Sequence, residues 1–447
     1  MQHTTGALFK DAFGTPEMRD VFNERVYVDR FMTAEAALAR AQAELGIIPE
    51  DAATKITETA SVDRIDLDDV ERKIAEIDLF TVAIIETWKE AIGDAGEYIH
   101  WGATSQDIGD TAMLLLVRDG VRLLRAELDE ITETLERLAS EHAETPMIGR
   151  THHVHALPIT FGLKAADWLD ELNRRDERLA NAADKALVVE FFGAVGSLAS
   201  LGEDGLEVQR RFADQLDLAV PNTAWFASRD RLLDLINAIA ALGGTLSRIA
   251  RQVLVLNREE INELSEPVPE GAIGSSTMPH KRNPVNSERT IALGALLRGH
   301  ANVMASLVEH HDERDAGLWY AEYAVIPEAF LYVHRALRNT REVLEGLTVN
   351  ATAMRKNAEI HGGLVASEAV MMALAESLGR VTAHDIVHKA AMEAYESERS
   401  FEEILLENDD VAKTLSADAI AELTDPTRYT GVSSVIAQRT VEDSRAK

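Results

Sequence analysis

Two apolar seams constrain this chain more than anything else in it. Val117, Val121, Leu124, Leu128, Ile131, Leu135 and Leu138 step by alternating fours and threes, and Leu232, Ile236, Ile239, Leu242, Leu246, Ile249, Val253 and Leu256 do much the same. Such spacing lays every apolar side chain on one stripe of a long helix, and a stripe that long demands other helices to cover it. Strand-like alternation is scarce, and aromatic residues make up only 5% of the chain. The expected class is therefore all-α, with a bundle of long helices in the middle.

The 447 residues divide, on pattern, into three lobes: residues 1–100, a central 101–350 and a tail 351–447. In the first lobe residues 26–45 read as a helix ended by Gly46, and residues 69–92 as another closed by Gly93. In the central lobe Pro158 precedes another long helix expected from Ile159, and helical patterns return over residues 288–308 and 326–347. Past residue 350 the elements shorten, punctuated by Gly362, Gly363 and Gly379. No internal repeat stands out.

Composition excludes several functions. There is no cysteine, so disulfides and thiolate metal sites are ruled out. Asp and Glu outnumber Lys and Arg by 76 to 45, a formal charge of -31, which argues against nucleic acid as the main partner. The acid is spread along the chain and lysine is scarce beside arginine, the expectation for a surface adapted to high salt. Residues 1–14 lack a basic start followed by an apolar run, and charge interrupts the apolar stretches, as at Glu190. A cytoplasmic protein without a membrane span is expected.

Three polar clusters carry the chemistry. The first, residues 100–107, reads His-Trp-Gly-Ala-Thr-Ser-Gln-Asp and opens a long helix. Thr104 or Ser105 can cap that helix, whose positive end attracts a carboxylate. The second is Gly149, Arg150, Thr151, His152, His153, Val154, His155. Histidines spaced this way without a carboxylate motif are weak evidence for a metal, and a general acid or base is the better use of one of them. A further glycine run, Gly193 to Gly196, lacks the Gly-Lys-Ser/Thr ending of a phosphate cradle.

The third cluster is Gly274-Ser275-Ser276-Thr277-Met278-Pro279-His280-Lys281-Arg282-Asn283-Pro284, at the end of a Pro- and Gly-rich run. A serine hydroxyl becomes a base only where positive charge and N–H donors stabilise its alkoxide, and Lys281 could supply that charge. Asn283 offers an amide to grip a carboxylate. Taken without any relative, the stretch is also compatible with a solvated basic turn.

As a string, however, it resembles the signature loop of the fumarase/aspartase superfamily, and the likeness extends over nearly the whole chain with three motif regions in order. That resemblance implies helical homotetramers with a twenty-helix core, each active site drawing its motifs from three subunits. By motif, it implies Ser275 as the base that removes a proton beside a carboxylate. His152 would be the general acid and Glu288 the carboxylate that pairs with it, with Lys281 beside the serine. Thr104, Ser105, Thr151, Ser276, Arg282 and Asn283 would contact the substrate. The chemistry implied is cofactor-free β-elimination through an aci-carboxylate, and no metal is expected.

Within the superfamily the loop is shared by adenylosuccinate lyases and the carboxymuconate cycloisomerase group. Ala12 and Phe13 stand where the former usually carry Arg-Tyr, Glu76 to Leu79 lacks their histidine, and residues 319–323 read Trp-Tyr-Ala-Glu-Tyr instead of a phosphate-contacting Ser-Ser-Ala-Glu-Arg. Residues 317–323 and 14–19 look like cycloisomerase segments. His152 and Ser228 depart from that group, so a related polycarboxylate is a candidate substrate. The expectation is a lyase or cycloisomerase of the 3-carboxy-cis,cis-muconate type; the alternatives are adenylosuccinate lyase and, from another class, a structural relative without activity.

Overall fold

The structure, a computed structural model, describes residues 6–268, 277–278, 280–397 and 399–446. The seams read from the sequence are core. The first lies on the helix Ser105–Glu141 and the second on Asp230–Leu256, and every residue named in each is buried. By length and composition Asp230–Leu256 could cross a bilayer, but 61% of its apolar window is buried inside the protein, as in a core helix. The other long helices are Phe161–Ala186, Val285–Ser306 and Ala316–Glu345, the last with Pro327 inside it.

The chain forms two compact units, each assembled from three segments. One comprises Met1–Leu128, Arg175–Leu246 and Arg289–Arg338. In it the alanine-rich helix Glu24–Ala43 packs on Glu50–Thr59 and Gly205–Leu216, small side chains allowing close approach. Close approach recurs at Gly120, where a Cβ would sit 2.7 Å from the Phe330 ring. The expected single helix over residues 69–92 is two, Leu67–Ile77 and Phe80–Ile92, because Asp78 adopts a left-handed backbone (φ 58°) that ends the first.

The other unit comprises Asp129–Arg174, Ser247–Glu288 and Asn339–Lys447. Here the sequence reading missed an antiparallel hairpin, Pro146–Thr151 with Val154–Thr160, so the helix expected from Ile159 begins only at Phe161. Met147 and Ile148, adjacent and so on opposite faces of the strand, are both buried, which leaves no period-two alternation to stand out beside the seams. The tail closes over its own core: Ser367–Leu378 and Arg380–Ser397 enclose Val370, Leu374, Ala383, Val387, Phe401 and Leu405.

Candidate active site

The Thr104–Ser105 cluster lies in the first unit, at the start of Ser105–Glu141. Asp107, fully buried in the first turn, reaches back to accept the Thr104 N–H at 2.9 Å, the reciprocal half of a capping box. The same carboxylate accepts N–H bonds from Phe192 (2.8 Å) and Gly193 (3.0 Å), which ties the glycine run to the turn. Burial pushes the Asp107 carboxyl up to about 7, while those three donors and His100 pull it down. Ser105 Oγ accepts from Thr81 Oγ1 at 2.7 Å. The expected side-chain cap is thus supplied by Asp107, and among the described residues the Thr104 hydroxyl makes no hydrogen bond within the chain.

One turn further along the helix, a buried ionic cluster fixes the segment 317–323. Arg229, fully buried, donates to both oxygens of Asp110 (2.7 and 3.2 Å), to Glu322 Oε1 (2.8 Å) and, more closely, to Glu322 Oε2. Trp319 Nε1 adds a 2.7 Å bond to Asp110, and Arg229 lies 4.5 Å above the Trp225 ring. Burial lowers the Arg229 pKa, but Asp110 and Glu322 more than restore it and hold the guanidinium above its usual range. Burial raises Glu322 and lifts Glu190 well above the carboxylate range. Tyr323 meets Phe80 and Trp319 edge-on at 5.4 and 5.5 Å, with its hydroxyl 3.2 Å from that of Tyr27. Sequence spacing gave no sign of this cluster, whose members lie 93 and 119 positions apart.

Thr151, His152, Lys281, Arg282, Asn283 and Glu288 belong to the second unit. His152 and His153 form the two-residue turn of the hairpin, both left-handed (φ 51° and 66°). A tight turn of this kind favours Asn-Gly; a histidine there stores strain on the order of 1 kcal/mol, which points to a use for the side chain. The hairpin is anchored below its tip. Arg150 forks onto both oxygens of the buried Glu263 (2.6 and 2.9 Å), and Asn357 binds the same carboxylate at 2.8 Å. Thr151, His152 and His153 are exposed, and among the described residues no hydrogen bond or ion pair joins His152 to Glu288. Burial, Arg150 and His361 keep His155 below its usual imidazole range. Among the described residues no group of three or more His, Asp or Glu could hold a metal.

Ser275 and Ser276 lie outside the described residues. Glu266 accepts the N–H groups of Asn286 (2.8 Å) and Ser287 (3.1 Å) and the Ser287 hydroxyl (2.8 Å), so its charge caps Val285–Ser306. Lys281, Arg282 and Glu288 are exposed, and Asn283 is half-buried.

The comparisons fit this architecture. The family model described as Lyase matches residues 11–299, and that described as Adenylosuccinate lyase C-terminus matches residues 363–440. The chain belongs to the fumarase/aspartase superfamily of lyases, with its largely helical fold. Among its relatives, the N-acetyl-S-(2-succino)cysteine lyase of Dickeya dadantii (strain 3937) is 39% identical over 95% of this chain and 93% of its own. The 3-carboxy-cis,cis-muconate cycloisomerase of Pseudomonas aeruginosa is 37% identical over 98% and 96%. A solved structure, the 3-carboxy-cis,cis-muconate lactonizing enzyme from Pseudomonas putida, superposes with a TM-score of 0.93 at 34% identity, covering 99% of each chain.

Proposed function

We propose that this enzyme performs cofactor-free addition-elimination on a small, non-nucleotide polycarboxylate, with 3-carboxy-cis,cis-muconate the first candidate. Ser275 takes the proton beside a carboxylate, and Lys281 stabilises the resulting charge. His152 serves the leaving or ring-closing group, paired with Glu288. Thr104, Ser105, Thr151, Ser276, Arg282 and Asn283 grip the carboxylates, whose negative charge grows as the aci-carboxylate forms. The reading takes these groups from three subunits of a homotetramer.

The observation that carries the choice of substrate class is the fate of residues 317–323. Trp319 and Glu322 are spent on the buried Arg229–Asp110 cluster and Tyr323 on a ring cluster. None of the three is left to pair with a phosphate, whose desolvation needs donors. A second reading, elimination of a thiol from N-acetyl-S-(2-succino)cysteine with release of fumarate, is favoured by two relatives at 39% identity.

The test is a comparison of 3-carboxy-cis,cis-muconate, N-acetyl-S-(2-succino)cysteine and adenylosuccinate as substrates, at low and molar KCl. Turnover of either of the first two supports the reading, and the salt arm tests the adaptation inferred from the charge of -31. Preferential cleavage of adenylosuccinate would overturn the substrate class.

A further inference from the structure

We propose that Glu35, far from the signature loop in sequence, is a positioning residue for the carboxylate-binding turn; the inference rests on the reading above and deepens it. Glu35 sits on Glu24–Ala43 among Ala34, Ala36 and Ala37 and is 1% exposed. A carboxylate in such surroundings is costly unless fixed donors meet both oxygens. Both are met by one residue: the His100 N–H donates to Oε2 at 3.0 Å, and His100 Nδ1 lies 2.6 Å from Oε1.

The grip falls where the backbone needs it. His100 has φ 64°, a left-handed conformation that costs a non-glycine residue roughly 1 kcal/mol and persists only where its surroundings impose it. Gln42, two helical turns on from Glu35, donates to the next carbonyl, Trp101 O, at 2.6 Å. Gly102 then turns with φ 75°, and a side chain there would meet Ser200 at 3.0 Å. Asp107 fixes the far end through the Thr104 N–H. One face of a single helix and one carboxylate thereby set where the uncommitted Thr104 hydroxyl stands.

His100 is faced by two ionisable groups, Glu35 and Asp107. Burial lowers its pKa, but Glu35, through charge and hydrogen bond, and then Asp107 outweigh that and raise it above the usual imidazole range. Glu35 touches no substrate in this account. It acts through the shape of the turn.

The test is Glu35→Gln, isosteric but with a single acceptor, so that one of the two His100 bonds is lost. Two readouts are used: fumarate binding by calorimetry, and KM and kcat with whichever substrate the wild type turns over. Fumarate binding should weaken about tenfold, and KM rise about tenfold with kcat within threefold, because the groups that move protons are untouched. Gln42→Met, which releases only the Trp101 carbonyl, should move both in the same direction by about threefold and serves if Glu35→Gln does not fold. Unchanged fumarate affinity and KM in the folded variants would overturn the role of Glu35, as would a loss confined to thermal stability. A wild type that binds fumarate, weakened by Glu35→Gln, yet turns over none of the candidates would instead overturn the proposed reaction. A wild type that neither binds fumarate nor turns over any of the candidates would overturn both.

Discussion

The two sets of candidate site residues, one in each compact unit, are built to different standards. Around Thr104 and Ser105 nearly every polar group is buried and committed: Asp107 to three backbone N–H groups, Glu35 to His100, and Arg229 to two carboxylates. Around His152 and Lys281 the anchors are buried, namely Glu263 and Glu266, but His152 and Lys281 themselves stand exposed. A carboxylate-gripping turn must be rigid, since its value lies in donors that need no reorganisation. Under the proposed assembly, the two sets come from different subunits.

The contrast can be broken by substitution. The largest effect is expected from Ser275→Ala, which should cut kcat by at least about a thousandfold with the assembly unchanged by light scattering. Next comes Arg229→Met. It leaves Asp110 and Glu322 buried without their counter-charge, and urea melts should show a loss of about 3–5 kcal/mol. His152→Gln should lower kcat by about a hundredfold with little change in melting, because the side chain is exposed and the turn is held by Arg150 below it. Equal destabilisation by Arg229→Met and His152→Gln would erase the distinction drawn here.

Two smaller effects sharpen it. The His100 pKa is raised in the folded state, so the Glu35 pair contributes stability that is fully present below the unfolded histidine pKa and is lost as pH rises through the folded value. The melting advantage of wild type over Glu35→Gln should therefore be larger at pH 6 than at pH 9. Arg210, whose pairs with Glu207 and Asp214 are solvent-exposed, should be replaceable by alanine with no measurable shift.

Much of this was legible in the sequence. The seams over residues 117–138 and 232–256 lie on helices that bury every position they named. Long periodic stretches average out local exceptions. Short elements do not: the Pro146–Thr151 hairpin strand offers only Met147 and Ile148 as buried consecutive positions, and the break at Asp78 rests on one left-handed residue. Glu35 was illegible for another reason. An acidic residue every few positions on a helix is what a solvated face looks like, and only tertiary structure shows that this one faces His100. The Arg229 cluster joins three distant segments, which no local pattern announces.

The most direct measurement is turnover of the non-nucleotide polycarboxylates by the purified enzyme beside its Ser275→Ala variant. We expect the wild type to convert 3-carboxy-cis,cis-muconate or N-acetyl-S-(2-succino)cysteine without any added cofactor, and the variant to be silent with both. A variant as active as the wild type would contradict the account.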